Sequence, residues 1–190
     1  GQIGGRRNVI INGAMVVDQR NAGAAVTAHA AYPVDRWSIS DTVNGTFSAQ
    51  QVSDTPVGFS SSLKVTITSA QTANTGNLAP IQVIEGYNLA DLGWGASGAK
   101  TVTMSFWVRS SLTGTFGGSL RNSGSSRSYP FTYTISVADT WENKAITIAG
   151  DTSGTWLTTN GIGVSVRFSL YAVASSLQSA GTWYAGSATG

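Results

Sequence analysis

The sequence predicts an all-β protein, an antiparallel two-sheet β-sandwich of jelly-roll type, formed by residues 8–190 behind a Gly/Arg-rich lead-in or linker at residues 1–7. Three observations carry this. Apolar residues recur at every second position in several runs, which is the spacing of a strand with one buried face. No helical period of 3.6 residues survives over any length. Clusters of Gly, Asn and Ser separate the runs, and connections of uneven length fit a jelly roll better than a simple meander.

The elements follow in chain order. Residues 6–20 read as the first strand and inter-sheet crossing: Val9, Ile11, Met15 and Val17 supply an apolar face broken at Asn12-Gly13, a pair that takes positive φ and bends or bulges a strand. Leu63, Val65 and Ile67 face one way and Lys64, Thr66 and Thr68 the other. Residues 88–92 are expected as a short helical turn. Val102, Met104, Phe106 and Val108 alternate with Thr101, Thr103, Ser105 and Trp107, giving the clearest strand of the chain. Gly117-Gly118 reads as a bulge or bend. Phe131, Tyr133 and Ile135 then alternate with Thr132, Thr134 and Ser136, followed by Ile146 and Ile148. Val164, Val166, Phe168 and Leu170 alternate with Ser165, Arg167, Ser169 and Tyr171. The outward positions are strongly Thr/Ser, which favours strand over helix. Turns are expected at Asn44-Gly45, at residues 74–77, 93–98, 123–126 and 150–154, and at Asn160-Gly161.

Composition narrows the function. With 190 residues the chain suffices for one domain with a substantial core. Charged residues make up only 11%, against a usual quarter, so Ser, Thr, Gly, Asn and Gln must cover the surface, which suits a chain whose exterior meets other protein. The net charge is +2, but beyond Arg6-Arg7 the basic residues are scattered singly, whereas phosphate-backbone binding needs a concentrated stripe; no nucleic-acid partner is expected. The absence of cysteine excludes disulfides and thiolate metal sites. No apolar run approaches ~18 residues and no basic-then-apolar leader is present, so neither a membrane span nor a signal peptide is expected.

Chemistry-bearing constellations are scarce. His29 is the one histidine, and nothing like Gly-x-Ser-x-Gly accompanies it. A glycosidase needs two carboxylates at a set separation; Asp139 with Glu142, and Asp35 with Asp41, are near in sequence, but Asp139 reads as a turn and Asp35 as the partner of a neighbouring Arg or a turn cap. The chain is therefore expected not to be an enzyme. Residues 93–98 lack the following helix and Lys-Ser/Thr of a phosphate loop and read as a flexible connection. No cofactor is expected; a structural calcium at Asp151, Asn160 or backbone carbonyls is weighed, but the acids are not clustered as such a site demands. Aromatic residues offer the best binding surface, because a sugar ring stacks its C–H face on Trp or Tyr. Tyr87, Trp94, Trp156, Trp183 and Tyr184 lie beside Gly, Ser and Asn as loop aromatics do, whereas Trp37, Trp107 and Trp141 are assigned to packing.

The opening run Asn8-Val9-Ile10-Ile11-Asn12-Gly13-Ala14-Met15, with Asp18-Gln19-Arg20-Asn21-Ala22-Gly23 and Asp35-Arg36-Trp37, resembles the start of jelly-roll domains in bacteriophage tail fibres and other phage virion proteins. The likeness continues through residues 62–66, 84–88, 100–108 and 128–131 to Trp141 and residues 151–156, so it covers most of the chain. These are scaffold motifs and bring no catalytic residue with them. The resemblance implies a virion structural protein, a tail-fibre, head-fibre or capsid-decorating domain assembled in the bacterial host cytoplasm. Its implied partners are further copies of itself, usually three, other virion proteins and a host-surface glycan. A carbohydrate-binding module of similar layout is the alternative, and a glycan-degrading enzyme a third. Self-association has an independent reason: sandwich edges are normally guarded by Lys, Pro or inward charges, and this chain has four prolines and only Lys64, Lys100 and Lys144. Related domains look to continue past Gly190 into one more strand, so the edge beside the first strand is expected to be filled by further residues or by a neighbour.

Overall fold

Among the described residues there are ten strands: β1 Trp37–Asp41, β2 Thr46–Val52, β3 Ser62–Ser69, β4 Asn77–Glu85, β5 Val102–Val108, β6 Gly114–Arg121, β7 Ser128–Ile135, β8 Glu142–Ile148, β9 Ile162–Ser169 and β10 Tyr171–Ala172. The computed structural model describes residues 8–43 and 45–190. The protein is all-β, and every strand pair is antiparallel. The predicted helical turn is two short 3-10 turns, Gly86–Asn88 and Ala90–Leu92.

The pairing explains the jelly roll. Strand β6 pairs β7, β5 pairs β8 and β4 pairs β9, so β4 to β9 form one long hairpin folded about the turn at residues 122–127. Folding brings β6 against β9 as well, and the order β1-β4-β9-β6-β7 results, with β10 beside β4. Two ribbons, β2-β3 and β5-β8, lie over one face of this sheet. Register places Ile84, Val164, Val166, Leu120, Tyr129, Phe131, Tyr133 and Ile135 on that face, where the alternating residues of β5 and Ile146 and Ile148 of β8 pack on them. A second cluster, Ile39, Phe47, Ala49 and Leu78, seats the β2-β3 ribbon. Phe106 contacts Tyr133 at 5.1 Å and Phe168 at 4.9 Å, both edge-on, which ties β5 to the sheet by favoured aromatic geometry.

Several expectations are corrected. Described residues 8–20 contain no strand: residues 11–14 form a turn, Asn12 and Met15 have φ of 51° and 56°, and Val16 and Val17 are exposed. The Asn12 side chain accepts the Val17 N–H and donates to the Val17 and Asp35 carbonyls, taking the place of a strand ladder. Residues 1–7, with Arg6 and Arg7, lie outside the described residues. Gly117 and Gly118 make no bulge, for β6 keeps unbroken register with both neighbours. They are required by close backbone approach: a Cβ at Gly117 would collide with the Gly190 carbonyl, and one at Gly118 with that of Arg167. Trp107 is 42% exposed on the outside of the β5-β8 ribbon instead of packing. Trp37 is buried as assigned, and Trp141 is half-buried with its indole N–H on Asp54 Oδ1 at 3.2 Å. Beyond Val65 both faces of β3 are exposed, Ile67 included, and Leu170 is exposed after β9, because no layer covers them.

Candidate functional site

Antiparallel winding sends the ends of β4, β6 and β8 and the starts of β5, β7 and β9 to one end of the sandwich. The loops 86–101, 122–127 and 149–161 therefore converge there, joined by the C-terminal segment, whose Tyr184 exchanges backbone hydrogen bonds with Ser128 at 2.8 and 3.0 Å. All five aromatics named from the sequence are on these segments. Trp94, Trp156 and Trp183 meet in a triad of edge-on contacts with centroids 4.8, 5.3 and 5.4 Å apart. Trp183 also meets Tyr129 of the core at 5.2 Å. All three indoles are half-buried against the main core, and each N–H has an acceptor in the protein: Trp94 to Lys100 O (2.9 Å), Trp183 to Ala149 O (2.8 Å), Trp156 to Asp151 Oδ2 (3.1 Å). Tyr87, at 65% exposure, and Tyr184, at 39%, stand free of the triad's ring contacts and present their rings to solvent.

The hub beneath the triad is Asp151. Its side chain is 1% exposed and receives the Arg127 fork, Nε to Oδ2 at 2.8 Å and Nη2 to Oδ1 at 2.6 Å. The Ser153 N–H completes the carboxylate, and the Asp151 carbonyl accepts the Gly95 N–H at 2.7 Å. The bidentate geometry is the strong form of this contact, and the hydrogen bond and charge of Asp151 hold the Arg127 guanidinium above its ordinary pKa. Asn122, buried, bonds the Thr155 carbonyl through Nδ2 and accepts the Ser126 and Arg127 N–H groups, tying the β6-β7 turn to the same loop. Sequence reasoning missed both residues. An Asn before Ser-Gly is a readable turn signal, but nothing in the chain links Arg127 to Asp151.

This hub settles one loop differently from expectation. Residues 93–98 are pinned, by Gly95 to Asp151 and by Lys100 N–H to Leu92 O, and are not a free connection. Both oxygens of Asp151 are engaged by donors, and Asn160 is an exposed turn residue.

The remaining ionisable candidates are part of the scaffold. His29 Nδ1 accepts the Asp41 N–H at 3.0 Å. Asp35 meets Arg20 at 3.3 Å and accepts the Gln19 N–H, while Asp41 accepts the Val43 N–H. Asp139 meets Arg109, which also pairs with Asp54. Glu142 is hydrogen-bonded by Lys144 Nζ (2.6 Å) and by the Val137 and Ser136 N–H groups, which together pull its carboxyl down to about 2.

No protein-family model matches the sequence, and no curated protein matches it. Among solved structures, a chain described as the enzymatically active domain of tailspike protein 4 from bacteriophage CBA120 is similar to this one at 14% identity and a TM-score of 0.48, over 85% of this chain. The match spans about a fifth of that solved chain, 19% of its length. The expectation that the chain is not an enzyme, which rested on the lack of a recognisable acid–base motif, runs against that description and is withdrawn.

Proposed function

We propose that this chain is a virion structural domain of a bacteriophage, held by neighbouring virion proteins and presenting its loop end to a host-surface glycan. The observation that carries the reading is convergence: Tyr87, Trp94, Trp156, Trp183 and Tyr184 lie on separate segments of the sequence, yet all reach one end of the sandwich. There the tryptophan triad, anchored by Asp151 and Arg127, makes a rigid apolar floor, and Tyr87 and Tyr184 offer exposed rings. Preorganised aromatics of this kind lose little conformational entropy on stacking with a sugar. The uncharged Thr/Ser exterior suits attachment within a particle.

The test is direct. Host-surface polysaccharide is presented to the purified chain, with binding and the release of reducing ends followed together, and virions are analysed by mass spectrometry for the chain. Saturable binding is expected, with Tyr87→Ala and Tyr184→Ala each weakening it about tenfold, a loss of the size of one aromatic contact. Absence of the chain from virions, or binding indifferent to both substitutions and to Trp94→Ala and Trp156→Ala, would overturn the reading.

A further inference from the structure

On the face of the six-stranded sheet turned away from both ribbons, two arginines stand together. Ser119 of β6 is opposite Arg167 of β9 and Arg121 opposite Ser165, so Arg121 and Arg167 are diagonal neighbours on one face, within reach of each other. Neither meets a carboxylate among the described residues. Arg121 donates from Nε to Ser119 Oγ at 3.0 Å and from Nη1 to Ser187 Oγ at 2.9 Å, and Arg167 from Nη2 to Ser40 Oγ at 3.2 Å. The other arginines of the described residues differ: Arg20, Arg36, Arg109 and Arg127 each hold an Asp or Glu.

The arrangement is unfavourable as it stands. Burial pushes the Arg121 guanidinium down to about 10, with the Arg167 charge acting the same way, and burial lowers Arg167 too. Two half-buried like charges without a counter-ion are stabilised by an anion between them. Each guanidinium carries about five N–H donors; Arg121 engages two and Arg167 one, so most of both forks is open. A hollow of about 390 Å³ bordered by Gly117, Ser169 and Gly190, and by the apolar Phe116, Leu170 and Leu177, opens two residues further along the same strands.

We propose that Arg121 and Arg167 form an anion site that takes the carboxylate or phosphate group of an acidic saccharide. The saccharide rests on the glycan reading given above, whereas the anion site stands at a different place in the fold and does not use the loop aromatics.

Calorimetric titration of the unmodified chain at constant ionic strength in chloride, with inorganic phosphate, glucuronic acid and glucose, tests it. Glucuronic acid is expected to bind and glucose not. Phosphate binding without glucuronate would mark a phosphorylated sugar as the ligand and be followed by titration with glucose 6-phosphate, which must then bind more tightly than phosphate alone. Arg121→Gln and Arg167→Gln are each expected to weaken binding about tenfold or more, as loss of a charged hydrogen-bond donor does, and to melt no lower than the parent in anion-free buffer. Tyr87→Ala should leave this binding unchanged even if it abolishes capture of neutral polysaccharide, which separates failure here from failure at the loop end. A rise in melting temperature of the unmodified chain with the bound anion provides a readout that needs no variant. No heat and no thermal shift from either anion, or binding unaffected by both substitutions, would overturn the proposal.

Discussion

At the scale of single residues, the structure separates charges that matter from charges that decorate. Asp151 is buried, with Arg127 as its counter-ion and the Trp156 indole as a further donor. Asp151→Asn leaves the guanidinium without a counter-charge, and denaturant unfolding should show a loss of about 3–5 kcal/mol, the range for breaking a buried pair. Asp35→Asn should cost no more than about 1 kcal/mol, because its partner Arg20 is 60% exposed and water screens the pair. Glu142 governs a pH dependence. Its folded-state pKa of about 2 is below the 4.5 of the free side chain, so the stability it contributes is fully present above about pH 5 and is lost as pH falls from there towards 2. Glu142→Gln should therefore flatten the stability profile in that window, read as a smaller difference between melting temperatures at pH 6 and pH 3 than in the parent.

Among the elements, β5 tests the packing of the sandwich. Phe106 joins Tyr133 and Phe168 in edge-on contacts, while Thr103 points outward from the same strand. Phe106→Ala should cost about 3–5 kcal/mol and Thr103→Ala under about 0.5 kcal/mol in denaturant unfolding; equal costs would show that the ribbon does not bear on the core. The strands legible in the sequence are β3, β5, β7, β8 and β9, which alternate strictly; in all but β3, whose far half no layer covers, that alternation marks one wet and one dry face. Strand β4 escaped this reading because most of its residues are buried on both faces, Ala79 and Ile81 under one and Leu78, Gln82 and Ile84 under the other. Strand β6 escaped it because its glycines, needed for close approach to Gly190 and Arg167, look like breakers. At the amino end the error ran the other way: valines and isoleucines imitate a strand, and only the Asn12 hydrogen bonds reveal a turn.

For the whole molecule, the open question is what meets its edges. The outer edge of β7 is covered by Gly181 and Tyr184, that of β1 by Ala30 and Ala31, and that of β2 by Val26. Among the described residues the outer edges of β3 and of the β5-β8 ribbon have no such backbone partner, and Trp107 stands on the ribbon's outer face between Ser105 and Asn143. We propose a homotrimer that covers these edges or this Thr/Ser face, burying more than ~1,000 Å² per contact as a specific interface does. Sedimentation at micromolar concentration should give a trimer that Trp107→Glu weakens; a stable monomer together with a virion map in which no two copies touch would refute it. The sequence by itself determined the all-β class, the facing of its half-buried strands and the identity of the loop aromatics, because alternation and turn chemistry are local. The tertiary structure alone decided that those aromatics share one end, that Asp151 pairs with Arg127, and that Arg121 and Arg167 stand together without a carboxylate partner among the described residues. Each of these depends on strand pairings between distant parts of the chain, which burial and hydrogen bonding select over the whole fold and no short stretch of residues encodes.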